Sequence, residues 1–222
     1  MTKEALRRVF KEIENGNNLG EPIALVGAIK TVDIRTIQEA IDCGLTIVGD
    51  NRVQEFREKS PFLSGAEFHF IGHLQTNKVK YLIGKVSLIQ SVDSLRLAEE
   101  ISAQSQKRGL TTDVLIEINV GGELSKSGFT PASASEAVHA VAVMPNIRPV
   151  GLMAMLPKTE NQEKLSALCL QMRAIYDTIK GEGFPFRFLS MGMSGDYRIA
   201  IQNGSNMIRL GSAIFGNRTE QR

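Results

Sequence analysis

A chain of 222 residues with 42% hydrophobic and 23% charged residues has enough apolar side chain for a sizeable core and an ordinary solvated surface. Its 26 basic and 24 acidic residues leave a net charge of +2, which gives no electrostatic case for nucleic acid. No apolar stretch approaches a membrane span, and Cys43 and Cys169 lack metal-ligand spacing or a neighbouring histidine, so both read as reduced packing residues of a cytoplasmic protein.

The first fifteen positions place Leu6, Val9, Phe10 and Ile13 at helical spacing, with Glu4, Glu12 and Glu14 among the bases and no apolar h-region. The pattern predicts an amphipathic helix docked on the body rather than a targeting segment. The next run, Ile23 to Ile29, is continuously apolar and closes on Lys30. Continuous rather than alternating character predicts a parallel strand covered on both faces. Further β-rich runs follow at 45–48, 67–71, 86–90, 113–119, 148–153, 186–190 and 207–210. Helical patterns separate them: Ile34-Ile37-Ala40-Ile41, Val53-Phe56 and Val79-Leu82-Ile83, then Leu95-Leu97-Ala98-Ile101 and Ala134-Ala137-Val138-Val141. Leu165-Leu168-Met172-Ile175-Ile179 and a short Tyr197-Ala200-Ile201 segment complete the series. No linker or composition break divides the chain, so residues 1–222 read as one domain. Strands alternating with helices require right-handed crossovers and a parallel sheet, and about eight units closes a (β/α)8 TIM barrel. A doubly wound open sheet would show fewer strands and often a glycine-rich first turn, which is missing after Lys30.

Residues too polar or glycine-rich to be incidental follow the strands, and a barrel gathers those ends on one face. A primary amine there, partly desolvated, loses its charge easily and suits Schiff-base formation; the alternative is a strand-end lysine reaching solvent. Ser190-Met191-Gly192-Met193-Ser194-Gly195-Asp196 and Arg209-Leu210-Gly211-Ser212 occupy consecutive strand ends. Glycine lets backbone N–H groups approach an anion, and Ser194 and Ser212 add hydroxyls, so the pair points to phosphate more than to tight turns with serine caps. Arg209 lies two positions before Gly211 and faces the same side, where it meets either a carboxylate or a ligand; the residue alone favours a structural pair. His69 falls inside its strand and reads as packed, His139 reads as an ordinary helix residue, and His73 at a strand end either contacts a ligand or orients the turn. Asp50 or Asn51 caps the following helix, unless Asn51 turns its amide into the mouth. Gly121 to Phe129, carrying Lys126, is either a lid or a solvated connection.

Taken in order, Lys30, Asp50-Asn51-Arg52-Val53-Gln54-Glu55, His69-Phe70-Ile71-Gly72-His73-Leu74-Gln75-Thr76-Asn77-Lys78, Asn119 to Phe129, Gly151-Leu152-Met153-Ala154-Met155, Ser190 to Asp196 and Arg209 to Gly216 resemble the pyridoxal phosphate homeostasis proteins. That group is a single-domain relative of the alanine racemase N-terminal barrel, and the match spans about residues 23–218. The resemblance implies pyridoxal 5′-phosphate (PLP) held as a Schiff base on Lys30. It also implies phosphate contacts from Ser194, Gly211 and Ser212, Asn51 near the cofactor and Arg209 facing the pyridine nitrogen; Met193 and His73 complete the candidate cofactor contacts. A permanent cation beside that nitrogen disfavours its protonation and makes the ring a weaker electron sink, which suits a carrier better than a strong catalyst. The implied role is PLP buffering or delivery in vitamin B6 homeostasis, with apo-enzymes as recipients, no nucleic acid or membrane partner, and a monomer or weak dimer. Two rivals stand beside it: an amino-acid racemase, and a cofactor-free Schiff-base aldolase or isomerase. The chain departs from the family pattern at Ile29, Val32, Asp50 and Ser212. Val32 stands where a second lysine is usual, which weakens any scheme handing cofactor between neighbouring lysines.

Overall fold

A segment apolar on both faces is satisfied only between an inner core and a coat of helices, and eight such segments pair here into one closed sheet. The computed structural model describes residues 2–123 and 126–216. Its strands are β1 (Ala24–Ala28), β2 (Ile47–Asp50), β3 (Glu67–Phe70), β4 (Leu88–Val92), β5 (Thr112–Ile118), β6 (Ile147–Ala154), β7 (Phe188–Ser190) and β8 (Met207–Leu210). Each hydrogen-bonds to the next in parallel, and β8 returns to β1 with Gly27 opposite Leu210. The expected eight-stranded α/β barrel, with its additional N-terminal helix, is what forms.

The coat consists of α1 (Thr2–Ile13), α2 (Ile34–Asp42), α3 (Val53–Lys59), α4 (Leu95–Lys107), α5 (Ala134–Ala142), α6 (Gln162–Gly181), α7 (Tyr197–Gln202) and α8 (Ser212–Phe215). Helix α1 buries Leu6, Val9 and Ile13. Its Glu12 accepts hydrogen bonds from Tyr197 Oη at 2.5 Å and Arg198 Nε at 2.9 Å, which pins it beside α7. Strand ends shift by up to two residues, β4 from 86–90 to Leu88–Val92 and the start of β7 from 186 to Phe188, and two further departures have a visible cause. Strand β2 begins at Ile47 rather than 45, because Leu45 is spent covering the barrel: its Cδ2 would lie 2.6 Å from a Cβ at Gly27. The segment with Val79, Leu82 and Ile83 forms 3-10 turns over Thr76–Tyr81 instead of an α-helix. The span between Gln75 and Gly84 is too short to offset helix nucleation, and it closes i→i+3 bonds, Lys78 N–H to Gln75 O and Leu82 N–H to Val79 O.

Two shells of core follow from strand alternation. Leu25, Ile29, Val48, Ile208 and Leu210 face outward against Leu6, Val9 and Ile37 of the helices. Val26, Ile71, Leu88, Leu115, Val150, Met153 and Met207 fill the interior, with Ala24 and Ala28 packed against them. This inner set identifies which positions on each strand point toward the barrel axis. Cys43 and Cys169 are free thiols, and no described helix is long and apolar enough to cross a membrane.

Candidate functional site

On β1 the inward positions are Ala24, Val26 and Ala28, and the same alternation continued past the strand end directs Lys30 to the mouth. Lys30 is exposed there rather than partly desolvated, which corrects the expectation drawn from its buried strand. What surrounds it is tightly held. Thr31 sits at φ 60, a left-handed conformation costly for a β-branched residue. The strain is held by Glu55, whose carboxylate accepts the Thr31 N–H at 3.0 Å, and by the Thr31 hydroxyl, which donates to Lys30 O at 2.6 Å. Lys59 of α3 donates to Ile29 O at 2.8 Å and to Glu55 at 2.9 Å, so one helix clamps the chain on either side of Lys30. Burial acts to raise the Glu55 carboxyl, but the Thr31 N–H and Lys59 outweigh it and hold the group below its usual value.

Helix α3 begins without a side-chain cap. Asp50, fully buried, instead accepts the N–H groups of Asn51 at 2.7 Å and Arg52 at 3.2 Å, so neither Asp50 nor Asn51 caps the helix. Asn51 follows inward-facing Gly49 at the strand period, and its buried Oδ1 has no partner among the described residues. Gly72 is required beside it, since a Cβ there would sit 2.2 Å from Asn51 O.

The cradle expected at the ends of β7 and β8 is present. Ser194 Oγ accepts the N–H groups of Gly211 at 3.2 Å and Ala213 at 3.1 Å, so a hydroxyl oxygen already stands where two backbone donors converge. The N–H groups of Ser194, Gly195 and Ser212 have no protein acceptor among the described residues, whereas that of Met193 donates to Asp196 Oδ1 at 2.5 Å. Met193 therefore offers no free N–H to a ligand, contrary to what its place in the turn suggests. A Cβ at Gly211 would lie 3.5 Å from Ala28 O, so the cradle abuts the end of β1. Lys30 lies two residues beyond Ala28, roughly 7 Å of extended chain at most.

Below the mouth a polar string crosses the barrel. Arg209 Nη1 donates to Ser190 O at 3.0 Å and Ser190 Oγ at 2.5 Å, and Nη2 donates to Ala154 O at 2.9 Å. Ser190 Oγ donates to Gln90 Oε1 at 2.7 Å, and Gln90 Nε2 reaches His69 Nδ1 at 2.9 Å. His69 can serve as the terminal acceptor because burial brings its pKa down to about 4, leaving it neutral. Arg209 meets backbone carbonyls and a hydroxyl rather than the carboxylate its sequence position suggests; burial lowers its pKa to about 10, so it remains a cation. The nearest acid in influence is Glu117 of β5, which sequence reasoning missed. Burial and then the like charge of Asp93 push its pKa up to about 7, against the pull of Arg209. The available signal was a lone carboxylate inside the apolar run Val114-Leu115-Ile116-Glu117-Ile118.

Glu117, His73, Asn119, Lys126 and Met153 line a small cavity of about 140 Å³ on the β3–β6 side of the mouth. His73, largely exposed, is oriented by Asp93 at 2.9 Å. Asn119 Nδ2 donates to Glu123 O and Lys126 O, tying the loop after β5; its Leu124 and Ser125 lie outside the described residues. Lys126 pairs with Glu123 at 3.0 Å and donates to Leu156 O at 3.3 Å, so it is a tethered lysine. His69 is packed as expected, and His139 on α5 pairs with Glu182 far from the mouth. Among the described residues no cluster of ligands suits a metal.

The arrangement suits a phosphorylated pyridine: an amine beside strained backbone, convergent N–H donors, an orphan amide oxygen and a buried guanidinium within one mouth. Comparisons agree. The family model of the alanine racemase N-terminal domain matches residues 2–219. A protein of Aquifex aeolicus named pyridoxal phosphate homeostasis protein is 42% identical over 216 residues, covering 96% of this chain and 95% of its own. An unknown protein from Bifidobacterium adolescentis shares the fold with a TM-score of 0.90 at 34% identity, over 96% of this chain and 94% of the other. PipY of Synechococcus elongatus, solved with PLP bound, gives 0.85 at 26% identity over 97% and 100%.

Proposed function

From the premise that this chain belongs to the pyridoxal phosphate homeostasis protein family, we propose that it binds PLP covalently through Lys30 and buffers or delivers it as part of intracellular vitamin B6 homeostasis. The observation that carries this reading is adjacency: the strand that ends at Lys30 is hydrogen-bonded to the strand that ends at the Gly211–Ala213 donors. PLP, when bound, supplies an aldehyde that condenses with an amine and a ring that withdraws electrons. The chain's own groups restrain that chemistry. The free N–H groups of Ser194, Gly195 and Ser212, with the Ser194 and Ser212 hydroxyls, would hold the phosphate, and Asn51 offers a buried acceptor at the rim. Arg209 presents a fixed cation that opposes protonation of a ring nitrogen nearby.

A racemase reading is weaker, because a tyrosine base at the mouth is needed and none supports it. Tyr176 is buried in α6, Tyr197 is bound to Glu12, and Tyr81 lies in an outer groove. The proposed unit is a single barrel domain over residues 1–222, acting as a monomer or weak dimer in the cytoplasm, with apo-enzymes as recipients. Unpaired Cys43 and Cys169 support a reducing compartment. Purified protein incubated with PLP should gain a near-visible absorbance, and borohydride should fix the cofactor mass on the Lys30 peptide. Lys30→Ala protein that gains the same absorbance and covalent mass would overturn the assignment.

A further inference from the structure

A sizeable concavity lies outside the barrel. A groove of about 760 Å³ runs between α3 and the Thr76–Tyr81 segment, and its inner end, at Asn51 and His73, is the rim of the mouth. It absorbs what the mouth leaves unused of two sequence blocks, Arg52 and Gln54 of one and Gln75 and Lys78 of the other, and adds Arg57 from the next turn of α3.

Charge is what distinguishes it. Arg52, Arg57 and Lys78 line the groove against a single carboxylate, Glu58. The Arg57 guanidinium carbon stands 4.5 Å over the Tyr81 ring, with Lys80 Nζ at 5.3 Å and Lys78 Nζ at 6.0 Å. Within the groove Arg52 pairs with Glu55 at 3.7 Å, as four arginines elsewhere pair with acids: Arg35 with Glu39, Arg148 and Arg187 with Asp113, Arg198 with Glu12. Among the described residues, Arg57, Lys78 and Lys80 have no carboxylate within ion-pair distance, and only the ring's electron-rich face holds them together. Cations gathered on one ring repel one another until a multiply charged anion arrives, and a phosphate is the complement that the Arg57 guanidinium and the Lys78 ammonium of the groove wall share. The Gln54 and Gln75 amides on the same walls suit the edge of a heterocycle, and the volume lies within the range of small-ligand sites, roughly 300–1,000 Å³.

We propose that this groove is a second ligand site, separate from Lys30, for a small phosphorylated heterocycle. It does not depend on what the barrel mouth binds. The test uses full-length protein whose Lys30 has been loaded with PLP and reduced with borohydride, which fills the mouth covalently. Calorimetric titrations then use two probes that cannot condense with lysine, pyridoxine 5′-phosphate and adenosine 5′-monophosphate. At least one should bind at a single site with a Kd below ~1 mM, corresponding to roughly 4 kcal/mol, and should weaken as salt is raised. The responding probe identifies the source of the phosphate, a B6 vitamer or a nucleotide. The exposed double variant R57Q/K78Q should lose roughly tenfold or more in affinity while loading PLP on Lys30 as the unaltered chain does. Failure of both probes to bind, or equal affinity in the double variant, would overturn the second site. If Lys30 itself does not load, the proposed function fails, and the same titrations on untreated protein still decide the groove.

Discussion

Replacing Glu117 by Gln isolates the energetics of a carboxylate buried at the barrel mouth. Burial, reinforced by Asp93, raises this carboxyl from its ordinary 4.5 to about 7. The folded chain therefore keeps a proton over a range where the unfolded chain has released it. The resulting stability is full below pH 4.5, declines as pH rises from there through about 7, and is lost above. A gap of roughly 2.5 units corresponds to roughly 3 kcal/mol. Gln mimics the protonated acid and does not titrate. The stability of E117Q relative to the unaltered chain should thus grow with pH by roughly 3 kcal/mol, most of it between pH 5 and 8. For a chain of this size that is roughly 6–12 °C in Tm. Circular-dichroism melts of both ligand-free proteins at half-unit intervals from pH 5 to 8.5 measure the difference directly. A constant offset between the two Tm curves, or one that narrows with rising pH, would refute the argument that Glu117 is protonated in the folded state.

Three further substitutions address the site. Ser194→Ala removes the acceptor shared by the Gly211 and Ala213 N–H groups and a hydroxyl donor to phosphate, so PLP affinity by absorbance titration should fall roughly tenfold with Lys30 still reactive; unaltered affinity counts against the cradle. Gly72→Ala forces a Cβ to within 2.2 Å of Asn51 O and should destabilise by about 2 kcal/mol or more, read from urea unfolding, with poorer PLP loading; a wild-type midpoint would mean the β2 and β3 ends are not in contact. Lys59→Met leaves Glu55 without its cation beside buried Asp50 and should cost roughly 3 kcal/mol near neutral pH. Burial pushes the Asp50 carboxyl up, but Glu55 is held below its usual value, so the stability that Glu55 contributes is present at neutral pH and lost on acidification. The K59M deficit should therefore shrink as pH falls through the carboxylate range, and a deficit that persists at pH 4 would exclude the charge argument.

The barrel is legible because its strands must be apolar on both faces, and β1 and β8 announce themselves by that pattern alone. Boundaries slip where apolar residues serve something other than a strand. Leu45 caps Gly27 from the approach to β2, while Gly49 and Asp50, which look like loop, complete the strand. Asp50 is held there by the N–H groups of Asn51 and Arg52 and by Lys59, which the next helix brings to 4.0 Å, a set of partners that strand periodicity does not reveal. Of the site, Lys30, Ser194, Gly211 and Ser212 follow from strand-end position, whereas Lys30's exposure and the capture of the Met193 N–H by Asp196 depend on three-dimensional neighbours. Gln90 and Ser190 were hidden differently. Gln90 stands inside an apolar run and Ser190 opens the strand-end block, and the link between them appears only when alternate strands are seen to face one another across the axis.

The string from Arg209 through Ser190 and Gln90 to His69 is directional: each member donates a hydrogen bond to the next, and the last is an imidazole that burial keeps neutral near pH 7. Such a one-way relay locks the guanidinium before any visitor enters, so no rotameric freedom is surrendered on docking. The molecule that enters must instead rotate and tilt to satisfy an immovable cation. Discrimination among vitamers would then be decided by whether the incoming ring can adopt that single pose, and chemical changes at the ring nitrogen should be tolerated far less than changes at the exposed edge.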